Sequence, residues 1–317
     1  MRRCRIPQWR NDDQYAKNQR PHAVRAPAIH HRRPGSYREF DFDHDNRGES
    51  MPSWIADLLR FNSGIQLDRG GNTFHTSATS GVGPRLFGGL IAAQALAAAA
   101  ATVEPGRLPQ SLHAYFIKGG RIGVDIEFTV EITRDGRSFN TRRVTAVQDG
   151  AVIFEMMASF HQPETTTDWQ RPEPLAVKLA DATIITKVPV RWADHFEMRV
   201  APGQYSHDDW PVQPFWFRTR EPVEDDPILR ACALTFISDL GLVSSARPPG
   251  GNRPGPGGAA SLDHALWLHR PTDPHDWHLY DAVAVSHSDA RGLARGSIHR
   301  DDGTLVASVA QESLWRI

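Results

Sequence analysis

The sequence predicts an α+β protein of two similar halves, each a helix wrapped by an antiparallel sheet. Three observations carry that expectation. Leu86 to Val103 is an uncharged, alanine-rich run, and alanine is the strongest helix former. Behind it the pattern changes to period two: Ile126, Phe128, Val130 and Ile132 alternate with Glu127, Thr129, Glu131 and Thr133, which marks a strand with one buried face. The same succession returns at an offset of roughly 150 residues, the spacing of a duplicated domain rather than of a short solenoid repeat.

Each element has its own reason. The first helix is about as long as a membrane span. It is mostly alanine, however, and is interrupted by Gly88, Gly89 and Gln94; alanine is only weakly apolar, so a small-faced helix packed by a sheet is expected, not a span. After the first strand come Asp135-Gly136, a strand from Arg142 to Val147, Asp149-Gly150, and a strand from Ala151 to Phe160. Asp-Gly between strand-like runs is a strong hairpin signal. Gln162 to about Val190, with its prolines, threonines and mixed charge, reads as a linker with one short helix. Asp225-Asp226-Pro227 then starts a helix running to Val243, with Leu229, Ala233, Phe236, Ile237 and Leu240 as its apolar positions. Leu262–Leu268, Leu279–Val285 and Ala290–His299 read as strands, and Asp302-Gly303 turns the chain into Leu305–Arg316. His113-Ala114-Tyr115-Phe116-Ile117-Lys118 aligns with His264-Ala265-Leu266-Trp267-Leu268-His269, and the two Asp-Gly turns align with each other. The expected division is a disordered basic tail at 1–55, an N-terminal half at 56–163, a linker at 164–200, and a C-terminal half at 201–317 that carries the chemistry.

Composition narrows the classes. The 317 residues suit one large domain or two ordinary ones. Apolar residues form 40% of the chain and charged ones 23%, an ordinary soluble balance, and a net charge of -1 argues for no nucleic-acid or membrane partner. Residues 1–38 hold ten Lys/Arg against two acidic residues; that tail lacks aliphatic periodicity, buries no core and lacks a secretory apolar region. Met51 opens ordinary globular sequence and is an alternative translation start. Cys4 and Cys232 are the only cysteines, which fits a reducing compartment, the cytoplasm, and no disulfide framework. Arg247 to Gly258 is all loop formers and is expected to be mobile, as a plain loop or a lid over a site.

Familiar catalytic signatures are absent. The chain has no Gly-x-Ser-x-Gly elbow, P-loop or Gly-x-Gly-x-x-Gly. No cysteine pair has metal spacing, and His275, Asp276 and His278 read as a solvated loop, so neither metal nor cofactor is expected. Two polar intrusions stand out instead. On the last strand Gln311 falls in the apolar row of Leu305, Ala307, Val309, Ser313 and Trp315. A buried amide must be hydrogen-bonded or cost about 1–3 kcal/mol, and the first half has Ala158 or Ser159 at the corresponding place. Asp239 similarly sits among Phe236, Ile237, Leu240 and Leu242, where an isolated carboxylate needs partners; a capping role for Ser238-Asp239 is the alternative. Ser261 begins a strand and has meaning only if it meets the other two.

At these residues the chain resembles a known family. The segments are Phe87-Gly88-Gly89-Leu90-Ile91-Ala92-Ala93-Gln94-Ala95-Leu96, Arg134-Asp135-Gly136-Arg137-Ser138-Phe139, Ala158-Ser159-Phe160, Ser238-Asp239-Leu240, Asp263-His264-Ala265-Leu266-Trp267-Leu268-His269-Arg270-Pro271 and Val306-Ala307-Ser308-Val309-Ala310-Gln311-Glu312. In this order they are similar to the bacterial acyl-CoA thioesterase II family, from about residue 60 onward. The resemblance implies a double hotdog fold, acyl-CoA as substrate, no cofactor, and a homo-oligomer, dimer or tetramer. It implies a hydrolytic water held by Asp239, Ser261 and Gln311. Ser261 departs from the family's threonine: it keeps the hydroxyl but loses the methyl group that stiffens the rotamer. Gly241 stands where the family has asparagine and is expected to loosen the helix end. Gly88 and Gly89 are expected near the substrate, with a backbone N–H there as oxyanion donor. His113 and His264 occupy matching repeat positions; a shared structural role is the plainer reading and substrate contact the other. A hotdog acyl-CoA hydratase is one alternative function, although no Asp-x-Asn-Pro-x-His run is present. A non-catalytic acyl-CoA binding protein is the other.

Overall fold

The computed structural model describes residues 55, 63–68, 71–77, 81–82, 85–185, 195–202, 213–247, 254 and 257–316. The expected disordered tail, apart from Ile55, and most of the glycine- and proline-rich loop at 247–258 lie outside the described residues. The first half runs β1 (Ser63–Asp68), β2 (Gly71–Ser77), short β3 (Gly81–Val82) and β4 (Arg85–Leu86), and helix α1 (Gly88–Ala101). A meander follows: β5 (Leu108–Phe116), β6 (Asp125–Asp135), β7 (Phe139–Gln148) and β8 (Ala151–His161). After a 3-10 turn at Leu179–Asp181 come β9 (Thr183–Ile184), β10 (Phe196–Val200) and β11 (Phe215–Thr219). Then come α2 (Pro227–Ser238), α3 (Leu242–Ser245), β12 (Ala259–Ser261), β13 (Asp263–Leu268), β14 (His278–Ser288), β15 (Arg291–Arg300) and β16 (Leu305–Trp315).

Among the described residues, all strands except β3 and β4, which pair with each other, join into one 14-stranded sheet. From its middle the order is β5-β8-β7-β6-β2-β1 in one direction and β13-β16-β15-β14-β11-β10 in the other. Equivalent strands therefore succeed each other in the same order, and the duplication seen in the sequence is a pseudo-two-fold in space. The two expected sheets are fused along β5 and β13, which pair antiparallel with Leu112 opposite Leu266 and Ala114 opposite His264.

Among the strands preceding the helices, β10 alternates buried Phe196, Met198 and Val200 with Glu197 and Arg199, whereas β11 shows no alternation. The reason is clear at β11. Phe215, Trp216 and Phe217 are all fully buried. One face meets the core, and the linker covers the other, where Trp216 Nε1 donates to Val177 O at 3.1 Å. A strand covered on both faces loses the period of two. The linker is also fixed farther along, by Gln170, which donates to Gly303 O and accepts from Leu305 N–H.

Helix α1 is buried from Gly89 to Ala101. Its alanine surface is narrow, which permits close approach to the sheet and to α2. Asp226 caps α2, accepting from Ile228 N–H at 2.7 Å and Leu229 N–H at 3.4 Å, with Pro227 at the first position. The helix does not continue to Val243 as expected. It stops at Ser238, Asp239 is its C-cap, and Gly241 takes φ +80° before α3 starts. Glycine here does not loosen a helix end; it supplies the left-handed residue that turns the chain, a conformation asparagine adopts next most readily. Gly241→Ala is therefore expected to lower stability by about 1 kcal/mol and Gly241→Asn by less, read as a shift in the urea midpoint.

The repeat also needs a correction of register. In the first half the ladder slips so that Ala146 faces Phe154 and Val147 faces Val152, leaving Ile153 extra. In the second, Ile298 faces Ala307 and His299 faces Leu305, leaving Val306 extra. Counted from these matching bulges, Ala158 corresponds to Gln311. Leu112, which faces Ala158, then corresponds to His264, and His113 to Ala265. The apparent match of His113 with His264 is thus one residue out, and one residue reverses the face of a strand. His264 is buried, while His113 lies exposed on the opposite face, edge-on to Trp267 with centroids 5.2 Å apart. A role shared by the two histidines, and substrate contact by His113, lose their basis.

Candidate active site

The start of α1, the end of α2 and the middle of the sheet converge on one buried polar cluster. Asp239 is the C-cap residue that directly follows the last turn of α2. Its Oδ2 accepts from Gly89 N–H at 3.0 Å across 150 residues of sequence. That contact requires glycine next door: a Cβ on Gly88 would stand 2.6 Å from Asp239 Oδ2 and 2.9 Å from the Phe116 ring. Ser261 closes β12, whose pairing with β16 sets Ser261 opposite Ser313. Its hydroxyl donates to Asp239 Oδ1 at 3.3 Å. Gln311 Nε2 donates to Ser261 Oγ at 3.0 Å, and the same nitrogen is 3.5 Å from Ser313 Oγ. Gln311 Oε1 meets His264 Nδ1 at 2.7 Å, and His264 Nε2 meets Ser238 Oγ at 2.8 Å. The Tyr280 hydroxyl donates to Ser238 O.

Burial dominates the electrostatics. It raises the Asp239 carboxyl to about 7, against the opposing hydrogen bonds of Gln311, Gly89 and Ser261. It lowers the His264 imidazole to about 4, against the opposing hydrogen bond to Gln311. Burial, and then the nearby Asp239 charge, raises the Tyr280 phenol well above its ordinary value. The cluster therefore combines a carboxyl that changes charge near neutrality with neutral donors that direct N–H and O–H groups at it. Such a group can hold a water and take its proton.

Of the residues read from sequence, Asp239, Ser261, Gln311, His264 and the Gly88-Gly89 pair meet here, and His113 does not. Asp239 ends its helix as the capping alternative required, yet its side chain accepts from another helix. The Gly89 amide, expected as an oxyanion donor, is engaged by Asp239. Ser238, Tyr280 and Phe116 were not anticipated as neighbours of the site. Ser238 stood beside Asp239 in the sequence; Tyr280 lies 42 residues from its partner, and no local pattern signals such a contact. His278, read as part of a solvated loop, is buried, with Nε2 2.9 Å from Thr272 Oγ1 and Nδ1 2.8 Å from Asp276 O. Among the described residues no three His, Cys, Asp or Glu side chains are grouped to hold a metal ion, and no helix is long and apolar enough to cross a membrane.

Comparison with known proteins adds independent findings. The acyl-CoA thioesterase N-terminal domain matches residues 75–161, and the acyl-CoA thioesterase C-terminal domain matches 162–315. Acyl-coenzyme A thioesterase 8 of Mus musculus is 32% identical over 258 residues, covering 74% of this chain and 81% of that protein. The crystal structure of an acyl-CoA thioesterase II, TesB2, from Mycobacterium marinum superposes with a TM-score of 0.66 at 35% identity, covering 83% of this chain and 96% of that one. A protein of Alicyclobacillus acidocaldarius described as having a hot dog fold has a TM-score of 0.66 at 19% identity, covering 84% and 99%, and shares the fold alone.

Proposed function

This chain belongs to the acyl-CoA thioesterase family, and we propose that its reaction, hydrolysis of an acyl-CoA thioester to a carboxylic acid and CoA, runs on a water held by Asp239, Ser261 and Gln311. The observation that carries the proposal is the buried Asp239 carboxyl, raised to about 7 and ringed by the donors of Gly89, Ser261 and Gln311. A general base works best with its pKa near the working pH. A thioester carbonyl is already electrophilic, so a positioned water suffices without a covalent nucleophile. The water oxygen bonds to the carbonyl carbon as Asp239 takes its proton. The C–S bond then breaks, the acyl group leaves as the acid, and the proton on Asp239 is returned to the CoA thiolate.

Ser261 and Gln311 hold the water in place, which removes part of its entropic barrier. The carbonyl oxygen gains charge during attack. With the Gly89 amide turned to Asp239, the reading assigns that charge to the amide of Gly88, the first residue of α1, where helical amides lack intrahelical partners and the dipole is positive. The same reading places the enzyme in the cytoplasm as a homo-oligomer, supported by the two cysteines and by the family resemblance.

The test is thiol release from acyl-CoAs of short to long chain across pH. Since only the carboxylate form of Asp239 accepts a proton, kcat/KM is expected to rise about tenfold per pH unit below the break and level off above about 7. A profile flat from pH 5 to 8 removes Asp239 as the base. Tight acyl-CoA binding without thiol release returns the protein to the binding class.

A further inference from the structure

The hydrogen bonds behind Asp239 form a chain with one consistent direction, and that direction gives His264 a task. We infer that His264 is a positioning residue for hydrolysis: protonated at Nδ1, it donates to Gln311 Oε1 and so locks the amide with its NH2 group toward Ser261 and Asp239. The inference rests on the reading that these three residues hold the water.

The direction follows from counting protons. An ionised Asp239 only accepts, so the single Ser261 proton goes to Oδ1 at 3.3 Å. The Ser261 oxygen then needs a donor, and Gln311 can supply one at 3.0 Å only through its nitrogen. That orientation turns Gln311 Oε1 to His264 Nδ1 at 2.7 Å. Two lone pairs at that distance repel, so Nδ1 carries the proton. A buried, neutral imidazole has only one proton. Nε2 is therefore a lone pair, and it takes the Ser238 hydroxyl proton at 2.8 Å, which otherwise points to Thr235 O, also at 2.8 Å. With the other tautomer the amide turns by 180° and sets its carbonyl oxygen against Ser261 and a carboxylate.

The duplicated half supports a functional origin. Its equivalent of the His264–Gln311 pair is Leu112 facing Ala158, so the fold is built at this place without polar groups. Glutamine and histidine stand at this place in the half that carries the carboxylate.

The experiment compares full-length wild type with His264→Leu, which restores the first-half residue, and His264→Asn, whose Nδ2 can replace Nδ1. His264→Leu is expected to lower kcat for thiol release from acyl-CoA on the order of 100-fold with KM little changed. It should also move the pH break upward, because a turned amide sets its oxygen against Asp239. Among the described residues, the other titratable groups around Asp239 are Tyr280 and His264 itself, both held neutral by burial. His264→Asn is expected to recover kcat to within about tenfold of wild type and to restore the break. In histidine-15N-labelled wild type, the signal lost in His264→Asn is expected to be that of the Nδ1–H tautomer. An Nε2–H tautomer, a His264→Leu enzyme with wild-type kcat and break, or an asparagine no better than leucine overturns the inference. The tautomer is read without turnover. An Asp239→Ala enzyme that still hydrolyses thioesters therefore defeats the water mechanism separately.

Discussion

Asp239→Asn is expected to abolish most thiol release while making the protein more stable than wild type at pH 8. Loss of a general base costs on the order of 100- to 10,000-fold, here in kcat/KM. The stability gain follows from the direction of the carboxyl's displacement. Its value in the fold is about 7, above the 3.8 of the free group. The fold therefore favours the protonated form: that contribution is complete below pH 3.8 and disappears as pH rises through 7. Above that, the protein carries a buried carboxylate whose cost is about 4 kcal/mol for a displacement of this size. Asparagine keeps the shape and does not titrate. Urea unfolding at pH 5 and pH 8 should show the difference between variant and wild type growing with pH. His264, lowered to about 4, contributes in the opposite sense, gaining stability between pH 4 and 6.5, but does so in both proteins and cancels in the comparison. A variant no more stable than wild type at pH 8 means that Asp239 is not held under strain, and the base assignment then loses its energetic support. This trade of stability for function is the usual mark of a site residue.

Gly89→Ala is expected to be the most damaging single methyl group in the core. A Cβ there would lie 2.1 Å from Phe236 O, a backbone atom of α2, and 2.6 Å from the Phe87 ring. Backbone cannot turn away as a side chain can, so α1 and α2 must separate, at a cost of about 3 kcal/mol or more. The atoms nearest an added methyl on Gly88 belong to side chains, the Asp239 carboxylate and the Phe116 ring. Gly88→Ala should therefore keep most of the stability and lose activity, whereas Gly89→Ala should fail first in thermal unfolding. If the two variants melt alike, the close helix contact is not where the structure places it.

Much of this protein was legible because its elements obey local rules. The Asp-Gly turns, the alternation of β6 and the row of β16 that holds Gln311 follow from backbone sterics and the two-residue period of a strand. Gln311 and Asp239 were visible because polar groups interrupt apolar rows. Strand β11 was hidden because the core and the linker, distant in sequence, cover its two faces. The end of α2 is not legible in the sequence because the left-handed turn of Gly241 appears only in the backbone. The His113 match failed because repeated letters do not carry the ladder's bulges.

By itself, then, the sequence determined the class of fold, the duplication and two of the polar residues, Asp239 and Gln311, since each leaves its mark within a few neighbouring positions. The tertiary structure alone decided that Gly89 N–H clasps Asp239, that His264 rather than His113 backs Gln311, and that two sheets become one. These are contacts between atoms as many as 150 residues apart, and their energies depend on burial and on the direction of each proton, neither of which is written in any single stretch of chain.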